Sequence, residues 1–132
     1  MKSRWLVLMM VAVLLPGVVA SAHHSFAGTY VENKLMTLDG TVVEFNIRNP
    51  HSFILLEVKD KDGKVVRWGG EWGGVTQLSQ GGVTRFTLEV GDRLIIEGAP
   101  PRDSTDRKVL VRKVSRPGTD KRPAWEWAGN VQ

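Results

Sequence analysis

The sequence predicts an all-β domain, a five-stranded OB-like barrel with a short helical insert between strands 3 and 4. Segments rich in β-branched and aromatic residues are separated by turns that contain glycine, proline or aspartate. One stretch without strand character lies between the third and fourth segments, and this order of elements is that of an OB barrel. The spacing of the strands alone also suits an open meander or a small sandwich.

The first predicted strand covers residues 38–47, and strict alternation there places Val42 and Phe45 on opposite faces. The dipeptide Asn49-Pro50 ends this strand, because proline interrupts the hydrogen bonds between strands and asparagine favours a turn. The next segment, residues 52–59, is apolar on both faces, as expected of a central strand.

The turn at residues 60–63 ends in Gly63, which is free to adopt a positive φ angle, so the second and third strands should form a hairpin. The helix should stop at Gly81-Gly82. The remaining elements are predicted as strands at residues 64–72, 93–98 and 108–115 and as a helix at residues 75–80.

The first 22 residues have the organisation of a secretory signal peptide: a basic start, an apolar middle and small residues before the cleavage site. The apolar run is too short to span a membrane, which takes about 20 residues. Cleavage is predicted after Ala22, with Ala20 as the alternative site. The chain is therefore divided into a signal peptide (1–22), an N-terminal leader (23–36), an OB-like domain (37–116) and a C-terminal tail (117–132).

The sequence contains no cysteine, so neither a disulfide nor a lipidated cysteine is available to the exported chain. We expect a protein of the periplasm or the extracellular space, without a membrane span after cleavage and either monomeric or weakly oligomeric. Its formal charge of +4 falls to +2 when Lys2 and Arg4 are removed with the signal peptide. Basic residues are concentrated at 102–122, either as a solvated edge or as a surface for an anionic partner.

Histidines suggest a metal site. Cleavage after Ala22 makes His23 the first residue, and its α-amine and ring nitrogen could then chelate one metal ion. His51 is the favoured third nitrogen ligand, because adjacent side chains such as His23 and His24 point to opposite sides of an extended segment. His24 is kept as a further candidate. Nitrogen ligands of this kind suit copper, with zinc as the alternative. In the competing interpretation His23 and His24 are recognition or packing residues, and His51 caps a turn by hydrogen bonding.

Glu71 is a candidate fourth ligand or an acceptor for a metal-bound histidine, although Arg67 or Arg85 could simply form an ion pair with it. A non-metal function is the alternative: an OB-type module could bind a glycan or a small anionic ligand through aromatic residues on strands 2 and 3. The candidates for that surface are Phe53, Trp68 and Trp72, with Arg67, and the opposing interpretation places Phe53 and Trp68 in the core.

Motifs for nucleophilic, phosphate or dinucleotide chemistry are absent from the sequence, which favours a binding or accessory role over an enzyme. Any catalysis would have to be metal-dependent. A small ligand or a periplasmic protein is the expected partner. Nucleic acid is not expected outside the cytoplasm.

Several short motifs occur in a distinctive order: Ala22 to Phe26, Gly40-Thr41-Val42, Asn49-Pro50-His51, Asp60 to Gly63, Trp68 to Glu71, Gly82-Val83-Thr84 and Leu88 to Asp92. In this order and spacing the chain resembles a family of small exported bacterial proteins that is classed only as a domain of unknown function. The resemblance covers about residues 22 to 115. It implies export and a small β domain, and it implies no reaction.

Overall fold

A computed structural model describes residues 26–131 of the chain. The predicted signal peptide, His23 and His24 lie outside this part. Within residues 26–131, none of the helices has the length and apolar character that crossing a membrane requires.

The described chain forms a closed five-stranded barrel with one additional strand, which confirms the predicted OB-like fold. β1 pairs with β2 and β4, β2 with β3, and β4 with β5, all antiparallel, and a parallel pairing of β3 with β5 closes the barrel. The elements are β1 (Met36–Asn46), β2 (Ser52–Lys59), β3 (Val65–Trp72), α1 (Val75–Gln80), β4 (Arg93–Ala99), β5 (Lys108–Arg116) and β6 (Trp125–Ala128).

A β-bulge in β1 changes the predicted distribution of its side chains. The register with β2 shifts between Val42 and Glu44. One extra residue in a strand reverses the faces that follow it. Val42 is therefore buried, and Phe45, three residues later, also packs against the core. Simple alternation had placed these two side chains on opposite faces.

The C-terminal segment contains a strand that the sequence did not predict. β6 pairs antiparallel with the second half of β5, from Lys113 to Arg116. Trp127 of β6 packs edge-on against the fully buried Trp72, with ring centroids 5.0 Å apart. Four residues are too few for a clear alternating pattern, so this strand depends on its partner rather than on local preference.

The segment before β1 packs against the barrel through two aromatic residues. Phe26 and Tyr30 are buried there, at 6% and 0% exposure. Tyr30 forms an isolated bridge with Pro101, and the amide of Arg102 donates to the carbonyl of Thr29. The loop after β4 thus holds the chain in place close to the predicted mature N-terminus.

Candidate functional site

A cluster of polar side chains lies where the corner before β2 meets the end of β3. His51 follows the Asn49–Pro50 corner, whose peptide bond is cis, and Glu71 is the penultimate residue of β3. The register of β2 with β3 pairs Ser52 with Trp72, which brings His51 beside the end of β3. The hydroxyl of Ser52 accepts a hydrogen bond from the amide of Arg48 and donates one to the carbonyl of Arg48. These two hydrogen bonds stabilise the corner.

His51 and Glu71 are in direct contact. The Nδ1 atom of His51 lies 2.9 Å from Oε1 of Glu71, and the two side chains are 23% and 17% exposed. A carboxylate offers only acceptor oxygens, so a ring proton on Nδ1 suits this contact. In that tautomer the lone pair of the neutral imidazole is on Nε2.

The second oxygen of Glu71 is bound by Tyr30, whose hydroxyl donates to Oε2 at 2.5 Å. Tyr30 is fully buried, and burial together with this hydrogen bond raises the pKa of its phenol. The hydroxyl therefore remains a donor throughout the neutral range. These contacts form the Tyr30–Glu71–His51 chain, in which a buried phenol orients the carboxylate that orients the imidazole.

Phe26 connects this chain to the start of the described residues. Its ring lies against the ring of His51, with centroids 4.8 Å apart. Just downstream, Nε of Arg102 donates to the carbonyl of Ala27 at 2.6 Å. The N-terminal segment is thus packed and hydrogen-bonded at the point where it reaches His51.

Among the three histidines predicted as metal ligands, only His51 lies in the described part of the chain. His23 and His24 fall outside it, and the structure does not test them. Within residues 26–131, no three histidine, aspartate or glutamate side chains are grouped closely enough to hold a metal ion.

The other predicted site residues do not share one surface. Trp72 is fully buried, and Trp68 is partly buried against the core. Arg67 faces outward, 3.6 Å from Glu57. Strand alternation explains this separation, because even-numbered residues of β3 face inward and odd-numbered residues outward.

Glu71 has His51 and Tyr30 as partners rather than the arginines that the sequence suggested. Arg67 pairs with Glu57, and the guanidinium of Arg85 lies over the ring of Phe86, 4.6 Å from its centroid. Tyr30 was not among the predicted site residues. Because 41 positions separate Tyr30 from Glu71, no local motif could have linked them.

Comparison with known proteins places the chain in a family. A profile described as a family of unknown function (DUF6152) matches residues 11–110. The chain belongs to this family. For this DUF6152 member, no curated protein gives a match. The matched region includes the three histidines and the whole Tyr30–Glu71–His51 chain, whereas β6 lies beyond it. The predicted membership of an uncharacterised family is confirmed.

Proposed function

We propose that this DUF6152 member is an exported binding or accessory protein that holds a copper ion between its mature N-terminus and His51. Zinc is the alternative metal. The ligands would be the α-amine and ring nitrogen of His23 and Nε2 of His51, with His24 as a further candidate. Three nitrogen donors of this type suit the tetragonal geometry of Cu(II). The contact between His51 and Glu71 is the observation that carries the proposal.

This contact has the arrangement that metal-binding histidines use. Such histidines generally donate the ring N–H that does not face the metal to a carboxylate or carbonyl, which sets the tautomer and increases the basicity of the other nitrogen. Here Glu71 lies 2.9 Å from Nδ1 of His51 and is itself held by Tyr30. A histidine that only stabilised the corner would not need a carboxylate oriented by a buried phenol.

The chain between Phe26 and His23 is short enough for the N-terminal ligands to reach His51. Phe26 packs on the ring of His51, and His23 is three residues upstream of Phe26. Three residues of extended chain span at most about 10 Å. The packed and hydrogen-bonded segment at residues 26–30 would limit the conformational entropy lost when the terminus binds a metal.

The site depends on export, because removal of the signal peptide creates the amine ligand. Mass spectrometry of the exported protein should find His23 as the first residue. Cu(II) is then titrated into this mature protein, into the same protein with an additional N-terminal methionine, and into His51→Ala. Competition with a chelating dye gives the affinities, and electron paramagnetic resonance reports the nitrogen ligands.

The mature protein should bind one Cu(II) more tightly than either altered form. Equal affinity of the methionine-extended protein would exclude the amine as a ligand, and unchanged affinity of His51→Ala would exclude the ring of His51. Either result would overturn the proposed site. Circular dichroism of each form verifies that the barrel is intact.

A further inference from the structure

A surface groove of about 220 Å³ crosses the outer faces of β1, β2 and β3, next to the Tyr30–Glu71–His51 chain. Phe53 on its wall is the cross-strand neighbour of Glu71. The residues that line it are Glu44, Asn46, Arg48, Phe53, Ile54, Leu55 and Gly69. A ligand bound in this groove would not need the metal site.

Gly69 is the unexpected residue in this groove. It lies in the middle of β3, opposite Leu55, at a position where its backbone has no positive φ angle. A Cβ atom built there would meet nothing closer than the carbonyl oxygen of Arg107, at 3.8 Å. Glycine weakens a strand, and in a strand it often marks a close approach of a ligand. The contacts within the fold would therefore tolerate a side chain at position 69, but such a side chain would occupy the groove.

Phe53 gives the groove an apolar wall. Its side chain is outward-facing and 36% exposed, which makes it one of the large exposed apolar residues of the described chain. The guanidinium of Arg48 covers part of its ring, 4.9 Å from the centroid. Leu55, half-buried, continues the apolar surface between Phe53 and Gly69. An aromatic ring beside the open space above Gly69 is suited to a flat ligand with an apolar face.

The polar rim selects a neutral ligand. Glu44 and Arg48 carry opposite charges, and Asn46 carries none, so the rim has no net charge. A phosphate or sulfate group would lie close to the carboxylate of Glu44. Carboxylate, amide and guanidinium groups each offer paired hydrogen-bonding atoms, which match adjacent hydroxyl groups.

The size of the groove limits the ligand to a single ring. Sites for drug-sized molecules start at about 300 Å³, and this groove is smaller. We propose that it binds one pyranose ring of a neutral glycan, with Phe53 against the apolar face of the sugar and the rim side chains on its hydroxyls. The location agrees with the strand face that other OB barrels use for oligosaccharides, an analogy of fold alone.

Two variants test this site without disturbing the core. Gly69→Val adds a side chain where a Cβ has ordinary contacts only, so it should fill the groove in a folded barrel. Phe53→Ala removes the wall. Val65→Ala is the matched control, because Val65 lies on the same outer face of β3 and is 51% exposed. Isothermal titration and saturation-transfer NMR are performed on the mature protein with a chelator present, so that failure of the metal site would not affect the result.

The probes are neutral hexasaccharides of glucose, N-acetylglucosamine, mannose and galactose at millimolar concentration, with a heparin hexasaccharide and an oligothymidylate as anionic comparisons. At least one neutral probe should bind. Phe53→Ala should weaken it about tenfold, the range expected for one lost stacking contact, and Gly69→Val should abolish binding, whereas Val65→Ala should not change it. The proposal is overturned if no neutral probe binds, if only the anionic probes bind, or if neither groove variant affects the affinity.

Discussion

Nδ1 of His51 lies 2.9 Å from Oε1 of Glu71, across the junction between the corner before β2 and the end of β3. Tyr30 donates to the other oxygen of the same carboxylate, at 2.5 Å. Both oxygens of Glu71 are therefore engaged, and neither partner is a lysine or an arginine. This arrangement makes Glu71 an orienting group for a histidine, and four predictions test it and its surroundings.

Replacement of Glu71 by glutamine should weaken Cu(II) binding by about 10- to 100-fold, the effect typical of losing a carboxylate behind a metal-bound histidine. The amide retains the shape of the side chain but removes the charge that increases the basicity of the imidazole. Competition with a chelating dye measures the affinity. Glu57→Gln is the matched control, since Glu57 is an exposed carboxylate on the neighbouring strand. Equal affinities of the two variants would contradict the orienting role.

Tyr30 should remain un-ionised in the folded protein well above pH 10. Burial, aided by the hydrogen bond to Glu71, raises the pKa of its phenol, whereas an unfolded tyrosine ionises near pH 10. A folded-state pKa above the unfolded value means that the native state binds the proton more tightly. The corresponding stability is fully present below about pH 10 and is lost as the pH rises beyond it.

Tyr30 is the only tyrosine in the sequence, so the near-ultraviolet absorbance of phenolate reports this residue alone. In guanidinium the chain should titrate near pH 10, and the native protein should show phenolate only as it unfolds. Circular dichroism recorded in the same titration separates the two events. Ionisation near pH 10 with the barrel intact would show that Tyr30 is accessible.

Two glycines should respond in opposite directions to alanine. Gly69→Ala should stabilise the protein by about 0.5 kcal/mol, because it reduces the entropy of the unfolded chain and its Cβ meets no close contact. Gly40→Ala should destabilise it by about 2 kcal/mol, since a Cβ there would lie 2.7 Å from the carbonyl oxygen of Glu57 and force β1 and β2 apart. Urea denaturation measures both changes. A clear loss of stability in Gly69→Ala would mean that the fold itself needs this glycine.

Asp92 should be important for holding the C-terminal segment. Its carboxylate, 10% exposed, lies 2.8 Å from Arg122 and 3.6 Å from the buried Arg116. Asp92→Asn leaves the buried Arg116 without a counter-charge and leaves Arg122 with only the exposed Glu89, 3.3 Å away, so it should destabilise the protein by about 3 kcal/mol. Chemical denaturation provides the measurement.

Asp39→Asn is the control for this change. Asp39 pairs with Arg93 at 2.6 Å, but the two side chains are 49% and 63% exposed. Exposed ion pairs contribute little to stability because water and salt screen them. The loss in Asp39→Asn should therefore be much smaller, and similar losses in both variants would show that burial does not distinguish the two pairs.

The sequence by itself determined the order of the elements from β1 to β5 and their boundaries to within two residues. Residues 52–59 and 75–80 were predicted as a strand and a helix with the bounds that the structure has, and Gly63 has the positive φ angle, 77°, that its turn suggested. These features depend on alternation, turn chemistry and glycine, all of which act over a few neighbouring residues. Local conformational preference was therefore enough to predict these elements.

Only the tertiary structure decided which residues form the candidate site. Closure of the barrel brings Tyr30 to Glu71, and the register of β2 with β3 brings Glu71 to His51 and to Phe53. The same closure buries Trp72 and leaves Gly69 facing an open groove. Register and closure arise from many contacts between residues distant in sequence, and a one-residue shift would reverse every face, so no short motif contains this information.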